Sequence, residues 1–133
     1  MPISSLLWSW DGRIGRARFW LGVLLVILMS IAFGFVAGLF EIPLDTGTGP
    51  VAEEISLAGA LYLLAAFIVV AYSQLSVYAK RFHDRGKSAW WVLIAFVPLI
   101  GFLWIVIELG MLPGDPGPNA YGPPPELDTA VPA

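Results

Sequence analysis

Three stretches of this chain, residues 19–40, 55–79 and 88–107, contain no ionisable acid or base apart from tyrosine hydroxyls. A helix of about 20 such residues covers the ~30 Å hydrocarbon core of a bilayer. Each stretch reaches that length. What remains of 133 residues offers too little polar surface to cover three such helices in water. Composition agrees: 58% of residues are hydrophobic and 13% are charged, where a soluble domain carries about a quarter charged residues. Mean hydropathy is +0.79. The sequence therefore predicts an all-α integral membrane protein with three transmembrane helices. The first apolar run is too long for a signal-peptide core, and no small-x-small cleavage site follows it, so it reads as a retained span.

The charges choose an orientation. All seven Lys and Arg lie in two segments: Arg13, Arg16 and Arg18 before the first span, and Lys80, Arg81, Arg85 and Lys87 between the second and third. Residues 41–54 carry only acids, and the tail carries no cation. Cationic loops stay cytoplasmic. The alternation predicts a multi-pass protein with its N-terminus in the cytoplasm and its C-terminus outside. The net charge of −3 averages over this segregation. So few cations, all flanking spans, exclude nucleic acid as a partner.

Pro98 and Gly101 interrupt the third span, since proline removes a helix hydrogen bond. A kinked span is one reading. A re-entrant hairpin that returns the tail to the cytoplasm is the other, and it needs its irregular backbone shielded by protein. Ile3, Leu6, Leu7 and Trp10 fall at helical spacing and predict a short interfacial helix ended by Gly12. The tail from residue 110 holds seven of the eleven prolines and reads as irregular. Residues 1–125 are expected to form a single membrane domain, with 126–133 a flexible tail.

Two segments carry chemistry. The loop KRFHDRGKSAWW, residues 80–91, sets four cations, Asp84 and the chain's one histidine, His83, beside two tryptophans. It reads as a membrane anchor, with cations at the phosphate level, Gly86 making the turn and Trp90 and Trp91 in the aromatic belt. It also reads as an anion site in which Arg81, Arg85 and Lys87 hold a phosphate or carboxylate while His83 titrates and Asp84 orients a partner. Arg13 and Arg16, three apart, extend the same cationic face, with Trp20 a further interface anchor. Anionic lipid headgroups are the expected partners. No cysteine and one histidine leave no catalytic, metal or cofactor constellation.

Ser30, Gly34 and Gly38 recur every four residues and form a ridge suited to close helix packing, within the chain or in a homo-oligomer. Ser73, Gln74 and Ser76 are expected to bond between helices. Glu108, at the end of the third span, is expected to be solvated.

The motifs resemble the bacterial inner-membrane family known as the domain of unknown function 805. Its aromatic-rich opening corresponds to Trp8, Trp10, Gly12, Arg13, Arg16, Phe19 and Trp20. Its central Arg-x-His-Asp-x-Gly-x-Ser-x-Trp-Trp is carried by Arg81, His83, Asp84, Gly86, Ser88, Trp90 and Trp91. Its closing signature is carried by Gly114, Gly117, Asn119, Tyr121, Gly122 and Pro123. Ala89 and Ala120 depart from residues common in the family. The resemblance implies a bacterial inner-membrane location and no particular reaction. The chain then reads as a non-enzymatic accessory or assembly subunit, with a membrane-protein partner or a second copy beside it. An inner-face module for an anionic headgroup or phosphorylated ligand is the alternative, and an enzyme using His83 a third.

Overall fold

The computed structural model describes residues 1–40 and 55–125. The acidic connection at 41–54 and the end expected to be flexible at 126–133 lie outside the described residues. Among the described residues, four α-helices follow one another: α1 (Ile3–Trp8), α2 (Arg16–Leu39), α3 (Leu57–Asp84) and α4 (Ile100–Ile105). A 3-10 helix (Ala89–Phe96) precedes α4, and a π-helical turn (Val106–Met111) continues it.

At 1.5 Å per residue, α2 is about 36 Å long and α3 about 42 Å, both beyond the ~30 Å of a hydrocarbon core. Only 17% of the apolar part of α2 and 22% of that of α3 is buried. A core helix of a soluble domain would be covered, whereas these present Ile31, Phe35, Leu61 and Phe67 outward.

The two helices meet along Phe19, Gly22, Val26 and Ala37 of α2. A Cβ on Gly22 would stand 2.8 Å from Val77 Cγ2, so the missing side chain lets the helices close. The Tyr62 hydroxyl donates to Phe33 O at 2.7 Å and ties the far ends. The ridge of Ser30, Gly34 and Gly38 lies beside this contact stripe and is not the packing surface expected within the chain. A Cβ on Gly34 or Gly38 would touch nothing within 4 Å, and Ser30 Oγ bonds its own helix at Val26 O. The close approach of Val77 falls at Gly22 and not at the ridge.

The third apolar stretch does not run through as one spanning helix. It folds into a hairpin whose arms pair in sequence-mirrored order. Lys87 pairs with Glu108, Trp91 stacks on Trp104 at 6.1 Å, and a Cβ on Gly101 would stand 2.0 Å from Ile94 O. Pro98 supplies no N–H at the bend, Leu99 reverses the chain at φ 60, and Gly101 lets the backbones touch. Eight residues of 3-10 helix at ~2 Å rise make an arm of about 16 Å, half a hydrocarbon core. Both ends of the hairpin return to the Asp84 end of α3: Lys87 N donates to Phe82 O at 2.8 Å, and Arg81 Nε donates to Leu109 O at 2.7 Å. The tail therefore lies at the same end of the helix pair as the N-terminal segment, and not at the opposite end that three traversals would require.

α1 is a short helix as expected, but it ends at Trp8 rather than at Gly12. It lays Leu6 against α3, where the hydroxyl of Ser76 donates to Ser9 O at 2.6 Å. Ser73 bonds Val69 O within its own helix rather than across to a neighbour.

Candidate functional site

The last turn and a half of α3 extends past the uncharged stretch and carries Lys80, Arg81, His83 and Asp84, all buried. Charges this deep persist only when paired and hydrogen-bonded. The segment before α2 covers them from one side and residues 112–122 strap them from the other.

Asp84 is the hub. Its Oδ1 accepts from Arg13 Nε at 3.0 Å, across 71 residues of sequence. Its Oδ2 pairs with Arg81 Nη1. Its backbone oxygen accepts from Asp115 N at 2.7 Å. The two guanidinium forks then spend their remaining donors on backbone. Arg13 Nη1 reaches Gly117 O at 2.8 Å and Gly122 O at 3.1 Å, and Nη2 reaches Asp115 O at 2.7 Å. Arg81 Nη2 reaches Leu112 O at 2.6 Å. One carboxylate thus holds two arginines, and the arginines hold the tail.

Lys80 bolts the other side. Its ammonium donates to Ser5 O at 2.6 Å, Leu6 O at 2.5 Å and Ser9 O at 2.6 Å, with Ser76 Oγ at 3.1 Å. Helix C-terminal carbonyls attract cations, and here one lysine pins the whole of α1.

His83 Nδ1 lies 3.2 Å from Gly12 O. Its ring stacks on Tyr121 with centroids 4.0 Å apart and planes within 6°. Asn119 Nδ2 bonds both His83 O and Asp115 Oδ2 at 2.8 Å. The tight turn Asn119–Gly122 closes on itself with two 3.1 Å backbone bonds. Gly114 is required by contact: a Cβ there would stand 1.9 Å from Asp84 Oδ2.

Of the residues singled out in the sequence, Arg13, Arg81, His83 and Asp84 converge. Arg16 is exposed, with one bond to Met111 O at 3.3 Å. Arg85 and Lys87 turn to a second cluster around Glu108, which is buried at 5% exposure and not solvated as expected. Burial there is sustained by the Lys87 ion pair across the hairpin. Trp20 Nε1 donates to Gly110 O at 3.1 Å, Trp90 is exposed, and Trp91, also exposed, stacks on Trp104 across the hairpin. Charge and spacing in the sequence do not mark the structural parts played by Lys80, Glu108, Asn119 and Tyr121. Asn119 and Tyr121 stand in the tail motif quoted above. Nothing local marks Glu108 as the partner of Lys87.

A cavity of about 230 Å³ adjoins Asp84, lined also by Arg16, Asp115 and prolines of the tail. Its two acids face one exposed cation. Among the described residues no group of three His, Asp or Glu side chains is placed to hold a metal. With its carboxylate and guanidinium groups engaged by one another and by backbone, the site can clamp the tail to the helix pair.

The family model described as "Protein of unknown function (DUF805)" matches residues 7–123, from just before the Arg13 segment to just past the Asn119 turn. The chain belongs to this family. It is 34% identical over 119 residues to the inner membrane protein YhaH of Escherichia coli (strain K12), covering 88% of this chain and 87% of that one. It is 30% identical over 126 residues to the inner membrane protein YhaI of the same organism, covering 92% and 93%. No solved structure matches. The relatives and the two long, outward-facing apolar helices agree: this DUF805 chain is a bacterial inner-membrane protein.

Proposed function

We propose that this DUF805 chain is a non-enzymatic accessory or assembly subunit of the inner membrane, working by lateral helix packing, with its N-terminal segment, its basic loop and its tail all in the cytoplasm. One observation carries the reading. The polar groups that would have to face a substrate are spent on one another: Asp84 on Arg13 and Arg81, and the two arginines on tail carbonyls. An anion site at Arg13 and Arg81 would have to break that cluster. The positive-inside bias supports the side, because both basic segments meet at one end of the helix pair and the tail is bonded to them.

What stays open is the outer face of α2. Small residues allow helices to approach closely in lipid, and a Cβ at Gly34 or Gly38 would meet nothing within 4 Å among the described residues. A photo-crosslinking residue at position 34 is expected to give a discrete protein adduct in native membranes, absent from the same probe at Phe67 on α3. With the probe at position 34, changing Gly38 to Leu should abolish the adduct, and by itself shift the stability of the isolated chain by no more than ~0.5 kcal/mol. A protein that runs as a monomer in mild detergent and gives no adduct at position 34 contradicts the proposal.

A further inference from the structure

The outer face of the hairpin holds a second feature, independent of any protein partner. Ile100, Leu103, Trp104 and Ile107 line a groove of about 420 Å³ that ends at Glu108 and Leu112. Its walls are apolar along the length and its polar end is the base of the hairpin. That base sits beside Lys80–Lys87, at the level where basic residues meet phosphates. The groove therefore runs from headgroup depth into the leaflet, parallel to an acyl chain.

Charge at the base selects the headgroup. Glu108 is buried, with Lys87 Nζ paired to its Oε1 and Arg85 Nε 3.7 Å from the same atom. Two cations against one acid leave one positive charge in surplus. Both cations keep part of their side chains in the open, Arg85 24% and Lys87 29%. Arg85 Nε is buried with no hydrogen-bond acceptor among the described residues, and Nη1 donates to Pro113 O. Lys87 is held 4.4 Å above the Trp91 ring, and Trp104, the groove wall, lies 5.5 Å from the same ammonium. Cation and acyl wall are thus fixed to each other.

We propose that this groove binds one anionic phospholipid of the leaflet at the basic end, an acyl chain lying along Leu103 and Ile107 and the phosphate at Arg85 and Lys87. Arg13, Arg81 and Lys80 take no part.

The test uses the whole chain in phosphatidylcholine vesicles containing equal fractions of either phosphatidylglycerol or phosphatidylcholine with brominated acyl chains. Quenching assigned to Trp104, by subtraction of the Trp104→Phe variant, reports occupancy. Brominated phosphatidylglycerol is expected to quench it more strongly. Arg85→Gln should reduce that preference about 5-fold, the worth of one cation near an anionic surface. Glu108→Gln, which keeps the side-chain volume, should raise it, so loss of fold cannot imitate the pair. Ile107→Phe fills the groove, keeps every charge, and should remove the preference. Equal quenching by the two lipids overturns the proposal. So does an unchanged ratio in Arg85→Gln and Glu108→Gln, or a preference that survives Ile107→Phe, which would mark diffuse attraction to headgroups instead.

Discussion

Asp84→Ala is expected to destabilise the protein by about 3–5 kcal/mol, read as a fall in melting temperature in mild detergent and a loss of folded protein from membranes. Removing one partner of a buried ion cluster costs this much because the surviving charges stay desolvated. Here two guanidinium groups would be left, Arg13 and Arg81, both buried at the end of α3. Asp84→Asn keeps the shape and loses the charge, so it should also destabilise. An isolated buried pair can often be replaced by apolar residues without loss. This cluster differs, because its arginines also satisfy the carbonyls of Leu109, Leu112, Asp115, Gly117 and Gly122. Replacing Asp84, Arg13 and Arg81 together with apolar residues should therefore fail to restore stability. Recovery in that triple variant would mean that the tail is held by something other than these forks.

The second large effect is expected from a single methyl group. Gly114→Ala puts a Cβ 1.9 Å from Asp84 Oδ2 and 2.5 Å from its Cγ. Asp84 cannot retreat, since both carboxylate oxygens are held by arginine, so the strap must leave instead. The cost should reach about 3 kcal/mol, the upper end for overpacking. Limited proteolysis would read it as new cleavage within 112–125. Gly117→Ala is the matched control: a Cβ there meets nothing within 4 Å, and its stability should stay within ~0.5 kcal/mol of the parent. Equal protease resistance in the two variants would contradict the clamp.

These effects rest on contacts that differ in how far the sequence announces them. α2 and α3 are legible because an uncharged run of spanning length has one stable solution in lipid, a hydrogen-bonded helix. The hairpin is half legible. Pro98 and Gly101 mark the place where the helix fails, but whether the chain bends or reverses depends on Lys87 finding Glu108 and Trp91 finding Trp104. Both pairings join residues that local periodicity cannot connect. The small-residue ridge does not name its own partner, for a related reason. Ser30, Gly34 and Gly38 and the contact stripe through Gly22 and Ala37 are both plausible packing faces, and the close approach of Val77 to Gly22 decides between them. Arg13 and Asp84 each stand out as charges beside a span. Their union across 71 residues is a property of the folded cap. The overall acidity of the chain hid a basic end in which the cations are mostly structural bolts, with Arg85 and Lys87 partly exposed around Glu108.

The third apolar stretch reverses, so that the tail shares a face with the N-terminal segment. The chain has no cysteine, so one introduced thiol reports its side cleanly. In intact spheroplasts, a membrane-impermeant maleimide should leave Ala120→Cys unlabelled until the membrane is permeabilised, while Thr46→Cys, between α2 and α3, is labelled at once. Labelling of Ala120→Cys in the sealed spheroplasts would put the tail across the bilayer and contradict the hairpin.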